Sequence, residues 1–310
     1  LLAVPLLGAT TYARFDLVPG VLVGVAVLLM ITHPRIAATA AALATAVKLW
    51  PALVLPALTA RTRERARVLC VVGVVGAVLA AASLALGGWS RLLSPLTWQA
   101  DRGLQIESVL ATPAMVGWAL GPGRLRVAYS DHNAYEISGG GVPVLLVATS
   151  LLSVLLVVGL FALWWRAWRC GGRLGGETVA WLCLASITGF MVSGKVLSPQ
   201  YLLWLLPAAA AALAVTARGD RRMVGWVAVL LVATGLTQLE FPVWYAGLVQ
   251  HGPGSFRAVL VLTLRNALLV WLTVHAWGET WSRLREDAQR GSALERQAPG
   301  PEGSDRPMLR

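Results

Sequence analysis

The stretch VPVLLVATSLLSVLLVVGLFALWW, residues 142–165, runs for twenty-four residues without a charge and is followed at once by Arg166, Arg169 and Arg173. About twenty apolar residues are enough for a helix to cross the hydrocarbon core of a bilayer. An arginine cluster directly after such a run marks the side of the membrane on which the chain emerges, because basic loops stay cytoplasmic. Working outward, comparable apolar runs fall at 1–11, 17–32, 36–60, 67–88, 178–196, 200–217, 223–240 and 256–277. The sequence therefore predicts an all-α, polytopic integral membrane protein with about eight or nine membrane segments.

Composition agrees. Of 310 residues, 57% are hydrophobic and 13% charged, about half the charged fraction of a soluble domain. The formal net charge of +11 does not point to nucleic acid, since no basic, aromatic-interleaved polar face exists to carry a polynucleotide. It is arginine gathered on the linkers 61–67, 166–173 and 218–222 and in the tail after 278, which places those four segments inside. Segments 89–141, 194–200 and 241–255 are then outer, and in 89–141 four arginines are offset by Asp101, Glu107, Asp131 and Glu136. Residues 278–310 lose apolar periodicity. Trp277 to Arg290 is expected to extend helically along the membrane surface, the remainder to be disordered. Three scattered cysteines and four scattered histidines offer neither a disulfide framework nor metal-ligand spacing. No cofactor is evident, and a divalent-metal requirement stays open.

One linker conflicts with this topology. A single span over 36–60 would leave His33-Pro34-Arg35 outside. The run contains Pro51 and Pro56, with Lys48 near its middle. Either it is one kinked span, or it is a broken pair of short helices that rises and returns to the inner side. The second reading puts Arg35 inside, and Asp16, Lys48 and Trp50 at the outer end. Broken helices occur at membrane depth where they line a cavity or a binding site.

The chain has only two lysines, Lys48 and Lys195, against twenty-four arginines, and both lie inside apolar stretches. A cation there is costly unless it meets a partner, a cavity or the interface, so the pair points to an anionic ligand handled at the membrane. The other outer polar residues are Arg14, Asp16, Asp101, Arg102, Gln105, Glu107, Gln200 and Tyr201. Cations can neutralise phosphate oxygens as charge builds on a leaving group, and a carboxylate can take a proton from an attacking hydroxyl. Each has a bland alternative: Asp16 as a helix N-terminal acid, Lys48 as a snorkelling side chain, Lys195 as a headgroup-facing loop residue, Asp101 and Arg102 as a surface pair. Arg265-Asn266, mid-run, reads as a buried structural pair. Trp50, Trp98 and Trp204 are candidates to stack on sugar rings.

The strings Arg14-Phe-Asp16, Ala-Val-Lys48-Leu-Trp-Pro51, Arg102-Gly-Leu-Gln-Ile-Glu107-Ser-Val and Lys195-Val-Leu-Ser-Pro-Gln-Tyr-Leu-Leu-Trp204, with a weaker Thr237-Gln-Leu-Glu-Phe-Pro242, resemble those of glycosyltransferase family 87. The resemblance runs from residue 12 to about 275. It implies a GT-C-type helix bundle in the bacterial plasma membrane. It further implies inverting transfer of mannose, or a related sugar such as arabinofuranose, from a polyprenyl-phosphate donor to a glycolipid or lipid-anchored glycan on the outer face. In such enzymes the catalytic aspartate usually lies in the first outer loop, after the first transmembrane helix. The main base is accordingly expected N-terminal to residue 1, with Asp16 as a second acidic group. Rival readings of the same residues are a lipid-linked glycan transporter or an inactive scaffold.

Overall fold

The computed structural model describes residues 8, 14–61, 64–100, 102–121, 123–170, 174–216 and 220–297, with backbone alone for 91–100 and 294–297. The helices are α1 (Leu17–Leu29), α2 (Pro34–Val47), α3 (Leu55–Arg61), α4 (Arg65–Ala100), α5 (Thr112–Leu120) and α6 (Val142–Arg169). They continue with α7 (Gly176–Ser193), α8 (Leu202–Val215), α9 (Arg221–Gln238), the single turn α10 (Ala246–Val249) and α11 (Ser255–Gln297). Five helical stretches, at 65–90, 142–169, 176–193, 221–243 and 255–293, are long and apolar enough to cross a membrane. The protein is a polytopic, mainly helical membrane protein.

The run 36–60 is broken. Helix α2 ends at Val47, Lys48 is extended (φ −156°, ψ 142°), and a 3₁₀ turn at Trp50–Val54 leads into α3. Pro51 explains the break, since its ring would clash with the Val47 carbonyl and it has no N–H to continue the ladder. Pro56 then occupies the first turn of α3, where a missing N–H costs nothing. Fourteen residues of α2 rise only about 21 Å, short of a bilayer core of about 30 Å. The two feet of this hairpin meet: Arg35 Nη2 pairs with Glu64 Oε2 at 2.9 Å. The segment is a helical hairpin whose apex carries Lys48.

The basic linkers assemble at the same end as those feet. Arg61 donates to the Leu174 carbonyl, and Arg65 Nη2 to the Trp168 carbonyl at 2.9 Å. Arg283 ties α11 to Glu177 and, at 2.9 Å, to Asp220. Asp287 is buried against the start of α7, accepting from Gly175 N (3.0 Å) and Thr178 Oγ1 (2.7 Å). Helix α11 thus runs unbroken to Gln297, further than periodicity suggested, because these polar contacts replace the apolar stripe that ends near 277. Residues 298–310 lie outside the described residues.

At the centre α7 is almost wholly enclosed, its Trp181 packing on Trp226 of α9. Helices α1 and α8 lie parallel and very close. A side chain at Gly20 would run into the Leu203 carbonyl, and one at Gly24 would stand 2.9 Å from the Pro207 carbonyl.

The segment expected as an outer loop, 89–141, has structure of its own. Helix α4 continues to Ala100 past a break at Gly88, whose φ of 67° suits glycine. A three-stranded antiparallel sheet follows, in the order β1 (Leu104–Gln105), β3 (Ala134–Gly139), β2 (Leu125–Ser130). Its hairpin turns at Asn133, φ 55°. Leu104, Ile106, Met115, Trp118 and Ile137 form a second small core with Leu248, Val259 and Leu262. This core clamps the β1 strand against the bundle, which fixes the residues described next.

Candidate active site

Lys48 at the hairpin apex places its ammonium 2.6 Å from Asp16 Oδ1. The same oxygen accepts from the Trp204 indole at 2.5 Å. Trp204 stacks on Trp50 (5.0 Å between centroids) and on Tyr201 (3.8 Å). Lys48 Nζ stands 4.8 Å from the Trp204 ring centroid and 5.3 Å from that of Tyr201. Ion pair and ring faces together compensate an ammonium at membrane depth, since cation–π contacts contribute from about 0.5 to 2 kcal/mol as water is excluded. The Lys48 side chain is 39% exposed and that of Asp16 11%. The cation is the group a ligand reaches first, with the carboxylate behind it.

Beside this pair the strand β1 is stitched to the loop between α7 and α8. Gln105 N donates to the Lys195 carbonyl at 3.0 Å. Gln105 Oε1 accepts from Leu197 N at 2.9 Å, and Nε2 donates to Ser198 Oγ at 3.1 Å and to the Glu107 carboxylate. Glu107 is fully buried. Burial, then the neighbouring Glu240, push its carboxyl up to about 8, against the opposing pull of Arg265 and Gln105. Glu240 itself is held bidentately by Arg265, Nη2 to Oε1 at 2.6 Å and Nε to Oε2 at 2.8 Å. Two acids and one cation shut away from water are balanced when Glu107 keeps its proton. Asn266 Nδ2 closes the floor, donating to Thr112 Oγ1 at 2.8 Å and to the Ser108 carbonyl at 3.3 Å.

The structure therefore joins Asp16, Lys48, Gln105, Glu107, the Lys195 backbone and Tyr201 at one end of the bundle, opposite the basic linkers. Tyr201 lies within electrostatic reach of Asp16, Glu107 and Arg102, which links the two halves. Arg102 Nη2 bonds the His132 carbonyl of the hairpin at 2.8 Å. The Lys195 side chain is half-buried in the same loop. Gln200, also half-buried, makes no side-chain hydrogen bond among the described residues, and Arg14 is exposed just before the start of α1. Asp101 and the Trp98 side chain lie outside the described residues.

Stacking of sugars on Trp50 and Trp204 is not available: both are buried, at 4% and 1% exposure, and stacked on each other. Sequence reasoning missed Glu240 as the partner of Arg265. The signal was present, because an arginine mid-span demands a counter-charge and Glu240 is the acid in the apolar run 223–240. Asn266 was read only as a structural partner of Arg265, and Ser198, polar but uncharged, gave no comparable signal.

A helix bundle with an ammonium–carboxylate pair at a helix break, packed beside a small folded segment with its own core, defines a membrane protein built around one polar end. The chain belongs to glycosyltransferase family 87, whose family model matches residues 1–199. It is a membrane glycosyltransferase. The matched region contains Asp16, Lys48, Gln105, Glu107 and Lys195, and stops just before Gln200, Tyr201 and Trp204. No curated protein and no solved structure matches the chain.

Proposed function

We propose that this transferase moves a mannosyl residue, or a related pentosyl or hexosyl unit, from a polyprenyl-phosphate sugar to a glycolipid or lipid-anchored glycan. The transfer takes place at the Lys48 end of the bundle, on the outer face of the bacterial plasma membrane. The observation that carries this reading is the Lys48 ammonium, oriented by Asp16 and Trp204 at the apex of the re-entrant hairpin and still open to one side. Basic linkers gathered at the opposite end support an outward-facing site, since such linkers stay cytoplasmic.

In the reaction the bond from the anomeric carbon to the phosphate oxygen breaks, and a bond to the acceptor oxygen forms. The phosphate leaves with the electron pair, and the proton of the acceptor hydroxyl ends on the departing phosphate oxygen. Lys48 neutralises the departing phosphate, an electrostatic contribution made where water is scarce. Lys195 and Arg102, on the adjoining segments, add positive charge to the same end. Asp16 Oδ1 accepts from Lys48 and Trp204 and so holds Lys48 in place; Gln105 and Glu107 fix the loop that carries Lys195.

Lys48→Ala in the full chain should lower transfer from a polyprenyl-phosphate sugar by about 10²–10³-fold in a protein that still folds. Lys195→Ala should act in the same direction. Undiminished transfer in both variants would sink the phosphate role.

A further inference from the structure

At the end of the bundle opposite Lys48, the last turn of α6 and the extension of α11 enclose a groove of about 510 Å³, lined by Trp165, Arg166, Arg169, Leu284 and Gly291 among others. We propose that this groove is a headgroup site for an anionic phospholipid. The reading begins on the outer surface of α6. Val147, Leu151, Val158, Phe161 and Trp165 are all between 60% and 66% exposed. At 100° per residue their spacing keeps them within one narrow stripe. From the first to the last the stripe is about 27 Å long, close to the thickness of a hydrocarbon core. Such a stripe lies against acyl chains.

One turn beyond Trp165 the same stripe reaches Arg169, with Arg166 on its flank, and there the groove opens. An acyl chain lying along α6 thus delivers its phosphate to two guanidinium groups. Arg166 is already posed, with its carbon 4.2 Å from the Trp281 ring centroid. Stacking through the face leaves the N–H edge of a guanidinium directed outward, the edge that pairs with phosphate oxygens. Asp287 also contributes to the wall, but its oxygens are engaged by Gly175 N, Thr178 Oγ1 and, at 3.5 Å, Arg290. Among the described residues that line the groove the balance is positive, with Asp287 already engaged. Basic pockets between membrane helices on the cytoplasmic side are where anionic headgroups bind.

The test uses the full chain in detergent, titrated with phosphatidylglycerol, phosphatidylcholine or inorganic phosphate while the thermal unfolding midpoint is followed. Phosphatidylglycerol should raise the midpoint, and the other two should not. Arg169→Gln should weaken the apparent affinity for phosphatidylglycerol roughly fivefold, and Arg166→Gln with Arg169→Gln by about 25-fold. The pair Arg67→Gln and Arg221→Gln, exposed at the same end but outside the groove, should leave the affinity unchanged. Equal stabilisation by inorganic phosphate would make the ligand a free anion and overturn the lipid assignment. An equal loss in the Arg67/Arg221 pair would reduce the effect to general surface charge and overturn the groove. Should the double variant not fold, Arg169→Gln decides alone: Arg169 is exposed and bonded by its side chain to nothing among the described residues, and an unchanged affinity there rejects the site.

Discussion

At Glu107 a carboxyl sits wholly inside protein, with a second acid and one cation for company. Its folded value of about 8 against an ordinary 4.5 means that the folded state holds a proton which the unfolded chain releases between those pH values. Stability from this group is complete below about 4.5 and is lost as pH rises through 8, because proton uptake on folding favours the folded state only while protons are supplied. The wild type should therefore unfold more readily at pH 8.5 than at pH 5, by a few kcal/mol. Glu107→Gln, which keeps the shape and removes the titration, should flatten that difference. A midpoint-versus-pH series on both proteins checks it; parallel curves would show that Glu107 is already ionised at neutral pH. At this scale the sequence was partly readable. The two lysines stood out because charge in an apolar run is costly, and Lys48 does meet a carboxylate. The Trp204 indole that shares this carboxylate was not foreseeable, since Trp204 and Asp16 are 188 positions apart and only packing brings them together.

Between elements, α1 and α8 approach closely, and their backbones come together because Gly20 and Gly24 offer no side chain. Small residues at such contacts are what allow membrane helices to pack by van der Waals contact. Gly20→Ala should lower stability by about 1–3 kcal/mol, the usual effect of overpacking, and it should also loosen the Asp16–Lys48 pair, since Asp16 stands four residues before it at the head of α1. A drop in unfolding midpoint together with reduced transfer is the expected result. An unchanged midpoint would mean that the two helices can part at no cost. Apolar runs located most of these helices, because crossing a membrane demands length and uniform hydrophobicity. Run 89–141 was harder. Its strands are short, its second core is finished by residues near 248–262, and nothing local announces a contact made so far along the chain. Helix from Trp277 to Arg290 was expected, but its continuation to Gln297 and the contact that pins it, Asp287 meeting α7, were not.

For the molecule as a whole, one end gathers arginine and the other gathers the paired charges of the site. Sidedness then becomes measurable. Single cysteines at Arg35→Cys and Arg221→Cys should react with an impermeant maleimide from the same side of a sealed vesicle, and one at Ser130→Cys only from the other. These require a background without Cys70, Cys170 and Cys183. Reaction of positions 35 and 221 from opposite sides would contradict the re-entrant reading of α2 and α3. A segment that leaves and rejoins the same side contributes an even number to the tally of crossings. It can be lengthened, shortened or retuned around Lys48 without inverting any helix that follows, so the part of the protein nearest the proposed donor site is also the part freest to vary without turning the rest inside out.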